Sequence, residues 1–492
     1  MIRKIFISLA VFCGISFISK AQTDFVLSLT MPETDDFIYD AHELPDGSFL
    51  FAGKTADNSG KVKPIMIKTD NNGSIQFVRS YDMPGYFCTF VNNNEKLYIV
   101  GGGYADYINT DTSRMFISEL DNNCDTAGFI YYNMPDSLSL NMIKCLVNSS
   151  NDFIYSGWLV GKSSDHHSYS YFLETDKNKE IKKFTVFDRR VGSIGDLIES
   201  RQDNEYYAFF WEIAFKQQKA YGDNKILCLD SNFNIKWSSY FPMNYKNTMT
   251  VKWISDTTFI SACEELIDSM EYHNRGIGAM IFSPRDTTII KSTYIGVNDT
   301  VLYPALMKNA VINDSNNIFI GGIKNFDPQN PFWSTNKAWF CLSKFDKQMN
   351  PIWTKYYGGD AYYNLWTIKE TQDGGCLMLG MRYDYLTQGY EHDIYIIKVD
   401  GNGIITSTNN MPPLTVSEAI VYPNPGSTQL TIETALKGLQ FELYSINGQK
   451  VIRQEIDHQT ITINTSDLPA GVYVYRFMNK EKIVEGGKWV KE

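Results

Sequence analysis

The chain has 492 residues, 43% of them hydrophobic, a formal charge of −11, and an aromatic share of 14% led by 31 tyrosines and 30 phenylalanines. That length suffices for two or three ordinary domains, or one large repeat domain with a small companion, and the hydrophobic share excludes wholesale disorder. The charge argues against nucleic acid and anionic lipid as partners, and the aromatic composition favours strands over helices.

The first 21 residues have the parts of a cleaved signal peptide. Arg3 and Lys4 are the basic start, Ile5 to Ile18 the apolar stretch, and Ser19-Lys20-Ala21 a small-x-small cleavage site before Gln22. The apolar stretch is too short to prefer a permanent span, and no later one reaches the ~20 apolar residues of a transmembrane helix. Phe12, standing before Cys13, is the wrong residue for a lipoprotein signal. Cleavage leaves 42 basic and 56 acidic residues, a formal charge of −14. It also leaves seven cysteines, at 88, 124, 145, 228, 263, 341 and 376, an odd number, so at least one is unpaired within a monomer. Cys228, Cys341 and Cys376 lie in apolar strand-like runs and read as small buried hydrophobes; one or two disulfides among the seven stay open.

From about residue 40 to 405 two short patterns alternate. The first is a turn and an apolar strand, usually ending in glycine: DGSFLFAG from Asp46, NEKLYIVG from Asn94, SNDFIYSG from Ser150, DNEYYAFF from Asp203, DTTFISAC from Asp256, SNNIFIGG from Ser315 and DGGCLMLG from Asp373. The second is a strand ending in aspartate, a turn and another strand, with Asp70, Asp121, Asp176, Asp230, Asp346 and Asp400 in the shared place and Pro284 in the fifth copy. Neighbouring aspartates lie 51 to 55 residues apart, and the 116 between Asp230 and Asp346 is two units of 58. Each unit fills as four antiparallel strands, in the first copy about Phe37–Glu43, Ser48–Gly53, Ile65–Thr69 and Ser74–Tyr81. Seven such units predict a seven-bladed β-propeller over residues 22–410. Gly53, Gly101, Gly157, Gly322 and Gly380 are expected to allow close packing between blades. Phe25–Leu29 is expected to close the seventh blade as its outer strand, with Ile404–Ser407 as the rival for that place. The strand-turn endings at Trp237 and Trp353 resemble the quinoprotein-like, WD40-like propeller superfamily, which implies a fold and no quinone.

Met411-Pro412-Pro413 opens a linker, 411–418, after which the period breaks. Residues 419–492 hold VYPNP, TQLTIET, FELYSINGQKV with its Asn447-Gly448 turn, ITINTSDLPAGVYVYRF and KWVKE. Short strands with regular turns in so few residues predict a small Ig-like β-sandwich, so the whole chain is expected to be all-β. Tyr422-Pro423-Asn424-Pro425, Asn447-Gly448 with Lys450, and Leu468 to Tyr473 with Gly471 are similar, in that order, to the type A sorting domain of type IX secretion cargo. The resemblance implies recognition by the outer-membrane secretion machinery, export by way of the periplasm, and a secreted or surface-displayed protein that is not integral to the membrane.

No HExxH, GxSxG, Walker or EF-hand pattern occurs, and no signature of a cofactor site. Asp165-His166-His167 is the most metal-like cluster but lacks a third ligand nearby, so it reads as a solvated loop and no metal is expected. One aspartate per repeat reads as turn capping, since calcium needs six or more oxygens. The stretches after each second strand are read as aromatic loops around one mouth of the channel. They supply the binding candidates Tyr104, Tyr107, Trp158, Trp211, Trp333, Tyr383 and Tyr390. The plainer account of these rings is that they cap blade edges and fill the channel mouth. The fifth loop is acidic instead, with Glu264, Glu265, Asp268 and Glu271 read as a charged solvent face. The expectation is an exported propeller binding an extracellular polymer or protein; the alternative is a glycan-active hydrolase or lyase with its site at the channel mouth.

Overall fold

A computed structural model describes residues 24–31, 34–103, 114–132, 139–160, 168–187, 193–216, 219–241, 245–266, 275–285, 287–296, 301–313, 317–386, 391–405, 419–423, 425–434, 438–445, 449–458, 460–479 and 482–492. The expected signal peptide, the linker, Tyr104, Tyr107, Asp165 to His167, Asp268, Glu271, Tyr390, Asn424, Asn447 and Gly448 lie outside these.

The described residues form strands and turns, with no helix among them. Up to Val399 they build seven sheets in succession, each with a four-stranded antiparallel path. The first runs Thr34–Glu43, Phe49–Asp57, Val62–Thr69 and Ile75–Ser80, within a few residues of the sequence reading. The first strand of each sheet touches that of the next, and the seventh touches the first, so these strands surround an axis as in a β-propeller. Phe25–Leu29 pairs antiparallel with Asp393–Val399, Phe25 opposite Lys398, and becomes the outer strand of the last sheet as expected.

Hydrophobic sheet faces and their twist stack the sheets. Phe209, Phe259 and Phe282, for example, meet across the fourth and fifth at 5.3–6.1 Å between ring centroids. The seven cysteines among the described residues are all buried and none is in a disulfide, so they pack as small hydrophobes.

Each recurrent aspartate caps the turn between the third and fourth strands. Asp70 Oδ1 accepts from the backbone N–H of Asn72 and Ser74 at 2.9 and 2.8 Å, and Asp121, Asp176, Asp230, Asp346 and Asp400 repeat this at i+2 and i+4. The turn's fourth residue has positive φ in every copy, including Thr287 in the copy that carries Pro284.

The repeated glycines act differently from the expectation. A Cβ on Gly53 would lie 1.8 Å from the carbonyl oxygen of Phe37, on the first strand of the same sheet. Gly101, Gly322 and Gly380 meet the carbonyls of Tyr86, Tyr303 and Asn364 in the same way. Contact with a neighbouring sheet is added only at Gly322 and Gly380, from Ile277 and Phe340. In four sheets the glycine's register partner is the residue just before a β-bulge in the first strand: Ile38, Phe87, Met142 and Leu365. The absent side chain therefore makes room for a bulged backbone, which bends the inner strand and re-aims the residue that follows.

The C-terminal residues form a three-stranded sheet (Ala419–Tyr422, Gln429–Thr434, Thr460–Asn464) and a four-stranded one in the order Lys450–Ile456, Leu439–Ser445, Gly471–Asn479, Lys482–Lys491. Val421, Leu430, Phe441, Tyr475 and Trp489 share the core between them.

Candidate functional site

The bulges, and in the sixth sheet a break in the first strand between Pro304 and Ala310, place one polar residue per sheet at matching positions around the axis. In chain order they are Asp40, Thr89, Lys144, Asp196, Thr250, Asn309 and Thr367. They tie adjacent sheets together. Asp40 Oδ2 accepts from Thr89 Oγ1 at 2.6 Å and from Phe90 N at 3.0 Å. Lys144 pairs with Asp196, whose Oδ2 accepts from Val251 N at 2.7 Å. Thr250 Oγ1 accepts from Asn309 N at 2.9 Å, and Thr367 Oγ1 donates to Tyr39 O at 2.7 Å. Lys308 Nζ reaches Asp40 Oδ2 at 2.8 Å. Burial alone would raise the Asp40 pKa, but the Lys308 and Lys369 charges and hydrogen bonds from Lys308 and Thr89 hold it well below the usual carboxylate range.

Above this ring, toward the strand ends that carry the aromatic candidates, the axis is filled by rings. Trp366 meets Tyr39 and Phe37 edge-on at 5.4 and 5.7 Å, and Phe332 stacks on Trp366 at 6.0 Å. Met307, Met381 and Tyr86 pack around them. Beside this plug, Trp333 lies 3.8 Å from the His392 ring centroid and 5.1 Å from that of Tyr383. His392 Nε2 donates to Phe332 O at 3.0 Å, and Nδ1 lies 3.1 Å from Asp35 Oδ1. Arg382 reaches Asp360 and Asp384 at 3.0 Å each. The ionisable groups nearest the half-buried Phe332 and Trp333 are thus held in ion pairs and hydrogen bonds.

Of the described candidates, the structure brings Trp333 and Tyr383 together and leaves Trp158 apart from both. Only Trp333 sits in a loop. Trp158, Trp211 and Tyr383 lie within the second strands Phe153–Val160, Glu205–Lys216 and Cys376–Tyr383, because ladder pairing continues past the expected strand ends. Tyr383 is buried. The fifth sheet's acids also differ from the expectation: Glu264 is buried and pairs with Arg275 at 2.6 Å, and Glu265 is half-buried. Phe37, Tyr39, Trp366 and His392 escaped the sequence reading, since the first three sit on first strands and His392 lies just before the third strand Asp393–Val399. Among the described residues no group of three His, Cys, Asp or Glu side chains is close enough to hold a metal ion, and no helix is long and apolar enough to cross a membrane.

Asp36, beside this cluster, is fully buried; Thr34 Oγ1 donates to its Oδ2 at 3.1 Å, and Oδ1 has no partner. Burial pushes its pKa up to about 7. Between the ordinary value near 4 and about 7 the folded protein therefore holds a proton that the unfolded chain has released, so this residue's contribution to stability falls as pH rises. Asp36→Asn is expected to remove that fall and to stabilise the protein at pH 8 by on the order of 2–4 kcal/mol. Urea midpoints of both proteins at pH 5 and pH 8 check it; an equal difference at the two pH values would count against it.

In the C-terminal sheets, the sorting landmarks at the two ends of the segment meet. Trp489, fully buried, donates from Nε1 to Pro423 O at 2.8 Å. Gly426 N donates to Val490 O at 2.9 Å, and Glu492 N to Gly426 O at 3.0 Å. Tyr473 is buried with its ring 5.8 Å from Trp489, and its hydroxyl donates to Pro469 O at 2.8 Å. Tyr422 is half-buried, and Pro425 and Gly471 lie on the surface.

Residues 420–492 match the family of secretion system C-terminal sorting domains. Among curated proteins none matches the chain by sequence. Solved structures similar in strand arrangement include the β-propeller domain of the Trilobed protease from Pyrococcus furiosus (10% identity over 77% of this chain and 100% of that one, TM-score 0.41). Another is hydrazine synthase of Kuenenia stuttgartiensis (7%, 76% and 98%, 0.44). A third is PorZ, a surface component of the type-IX secretion system of Porphyromonas gingivalis (11%, 92% and 81%, 0.21). Likeness this distant says nothing of what the chain binds.

Proposed function

Because residues 420–492 are a sorting domain that directs export to the surface or beyond, we propose that the mature chain is an extracellular binding protein. In this reading a signal peptide, 1–21, takes the chain to the periplasm. A seven-bladed β-propeller, 22–410, is joined by a linker, 411–418, to an Ig-like type A sorting sandwich, 419–492. The propeller binds an extracellular polymer or protein at the face carrying Phe332 and Trp333.

One observation carries the choice of a binder over a glycan hydrolase or lyase. The rings of Phe332 and Trp333 keep accessible surface on a rigid base, while the neighbouring His392, Asp35, Arg382, Asp360 and Asp384 are already engaged with one another or with backbone. Half-exposed aromatic rings on a stiff support suit stacking on sugars or contact with peptides, whereas acid–base catalysis needs a group free to reach the substrate.

Glycan and peptide arrays probed with the mature protein are expected to give ligands whose affinity falls at least tenfold in Trp333→Ala, with the melting temperature little changed. Binding that is indifferent to both Trp333→Ala and Phe332→Ala would refute this face. Cleavage of an array glycan, abolished by substitutions at His392 or Asp35, would favour the enzyme instead.

A further inference from the structure

The opposite end of the channel is built differently. Below the polar ring, between the first strands of the third, fourth and fifth sheets, lies a cavity of about 830 Å³ lined by Lys144, Ser149, Glu199, Arg201, Lys252 and Trp253 among others. The lining residues run from the ring toward the turns that lead into the second strands, so this cavity opens on the face away from Phe332 and Trp333.

Basic and acidic side chains both line it, Lys144, Arg201 and Lys252 with Glu199 and Asp256. The protein is acidic overall, yet Lys144, Lys252, Lys308 and Lys369 gather around the axis, close enough to act on one another: Lys144 feels Lys252 and Lys308, and Lys308 feels Lys369 and Lys252. Asp196 takes Lys144 and Asp40 takes Lys308. Among the described residues, Lys252 and Lys369 have no ion-pair partner; Asp40 and Glu370 act on both through their charge, and on Lys369 strongly enough to raise its pKa. Lys252 keeps accessible surface, and desolvation by the surrounding strands pulls its pKa down from the ordinary lysine value, with the Lys369 charge adding to the effect and those of Glu370 and Asp40 opposing it. Lysine stems often pack on apolar surface with the ammonium in bulk water. Lys252, by contrast, borders the cavity with no carboxylate paired to its ammonium among the described residues, so an anion entering there would meet an unpaired positive charge. The walls add the Trp253 indole, held by its Nε1 donating to Glu199 O at 2.8 Å, with the Arg201 guanidinium over that ring at 5.9 Å and paired with Asp256 at 3.5 Å.

We infer that this cavity is a second binding site, for a small anion or the anionic unit of a larger molecule, with a phosphate or carboxylate group seated on Lys252 and the sugar or carbon skeleton against Trp253. The site is independent of the aromatic face.

The test is the melting temperature of the full mature protein against rising inorganic phosphate and, separately, glucuronate, each compared with sodium chloride at matched ionic strength. A ligand that binds only the folded state raises the melting temperature saturably. The expected result is such a rise with at least one of the two, reduced at least fivefold in apparent affinity by Lys252→Met, largely kept by Lys252→Arg, and unchanged by Lys236→Met on the outer surface. Trp333→Ala should leave it intact, which separates this site from the one at the aromatic face. A response to phosphate alone assigns a phosphate ester, and to glucuronate alone a carboxylate sugar. No rise above the chloride control with either anion, or a rise that survives Lys252→Met, overturns the site.

Discussion

Replacing Trp489 with alanine is expected to cost the C-terminal module about 3–5 kcal/mol, enough to unfold a domain of this size, and to stop export. The indole is fully buried in the core between the two sheets, and its Nε1 donates to the Pro423 carbonyl. Truncation therefore leaves a cavity and an unsatisfied carbonyl, and releases the contact between the two ends of the segment. Trp489→Phe keeps most of the volume and loses only the hydrogen bond, so its cost should be nearer 1–2 kcal/mol. Denaturation of the purified protein should show the C-terminal transition moving while the propeller's stays in place. Fractionation of cells should find the alanine variant retained. Normal export of an unfolded module would separate sorting from folding and disprove the link.

The second large effect is expected at Asp40. It is completely buried, accepts from Thr89 and Phe90 on the next sheet, and pairs with Lys308 across the axis. Asp40→Ala leaves that lysine without its buried anion and two donors without an acceptor, a change that typically costs about 3–5 kcal/mol. The double variant Asp40→Ala/Lys308→Met should recover part of the loss, because it removes the stranded charge as well. Since the folded pKa of Asp40 lies below its unfolded value, its contribution is present above about pH 4 and fades as pH falls further. The destabilisation should accordingly shrink in acid, whereas the effect at Asp36 runs the other way. Urea titrations of the single and double variants at pH 7 and pH 3.5 decide it; additive losses would mean that the pair is not coupled.

The strands and their turns were legible because each rests on local chemistry. The aspartate caps, the positive φ at the fourth turn position and the apolar runs recur often enough to count, and Phe25–Leu29 could be placed by analogy with Pro351–Gly358. The polar ring was missed because a bulge breaks the period-two alternation where it matters: in DFIYDAHE, Tyr39 drops out of register and Asp40 reads as an ordinary strand residue. A usable signal was nonetheless present. Thr89 lies 12 residues before its strand-end glycine, while Asp40, Lys144, Asn309 and Thr367 each lie 13 before theirs. The aromatic candidates were read as loops because the glycine was taken for a strand end, whereas pairing runs on beyond it. His392 comes near Trp333 only through the folding of the sixth sheet against the seventh, which no local pattern encodes.

The pairing of Phe25 with Lys398 joins residues more than 370 positions apart. Until Asp393–Val399 is available, the strand Phe25–Leu29 has no partner and the last sheet has no outer edge. Bringing such distant segments together carries the largest loop-closure cost in the molecule, so the clasp is the contact that must wait for the whole ring. A chain truncated before Asp393 is an open arc with two unprotected edges, prone to pair with other chains. The sorting module follows the clasp in the chain, and so the address for export is completed only after everything needed to lock the ring has been made.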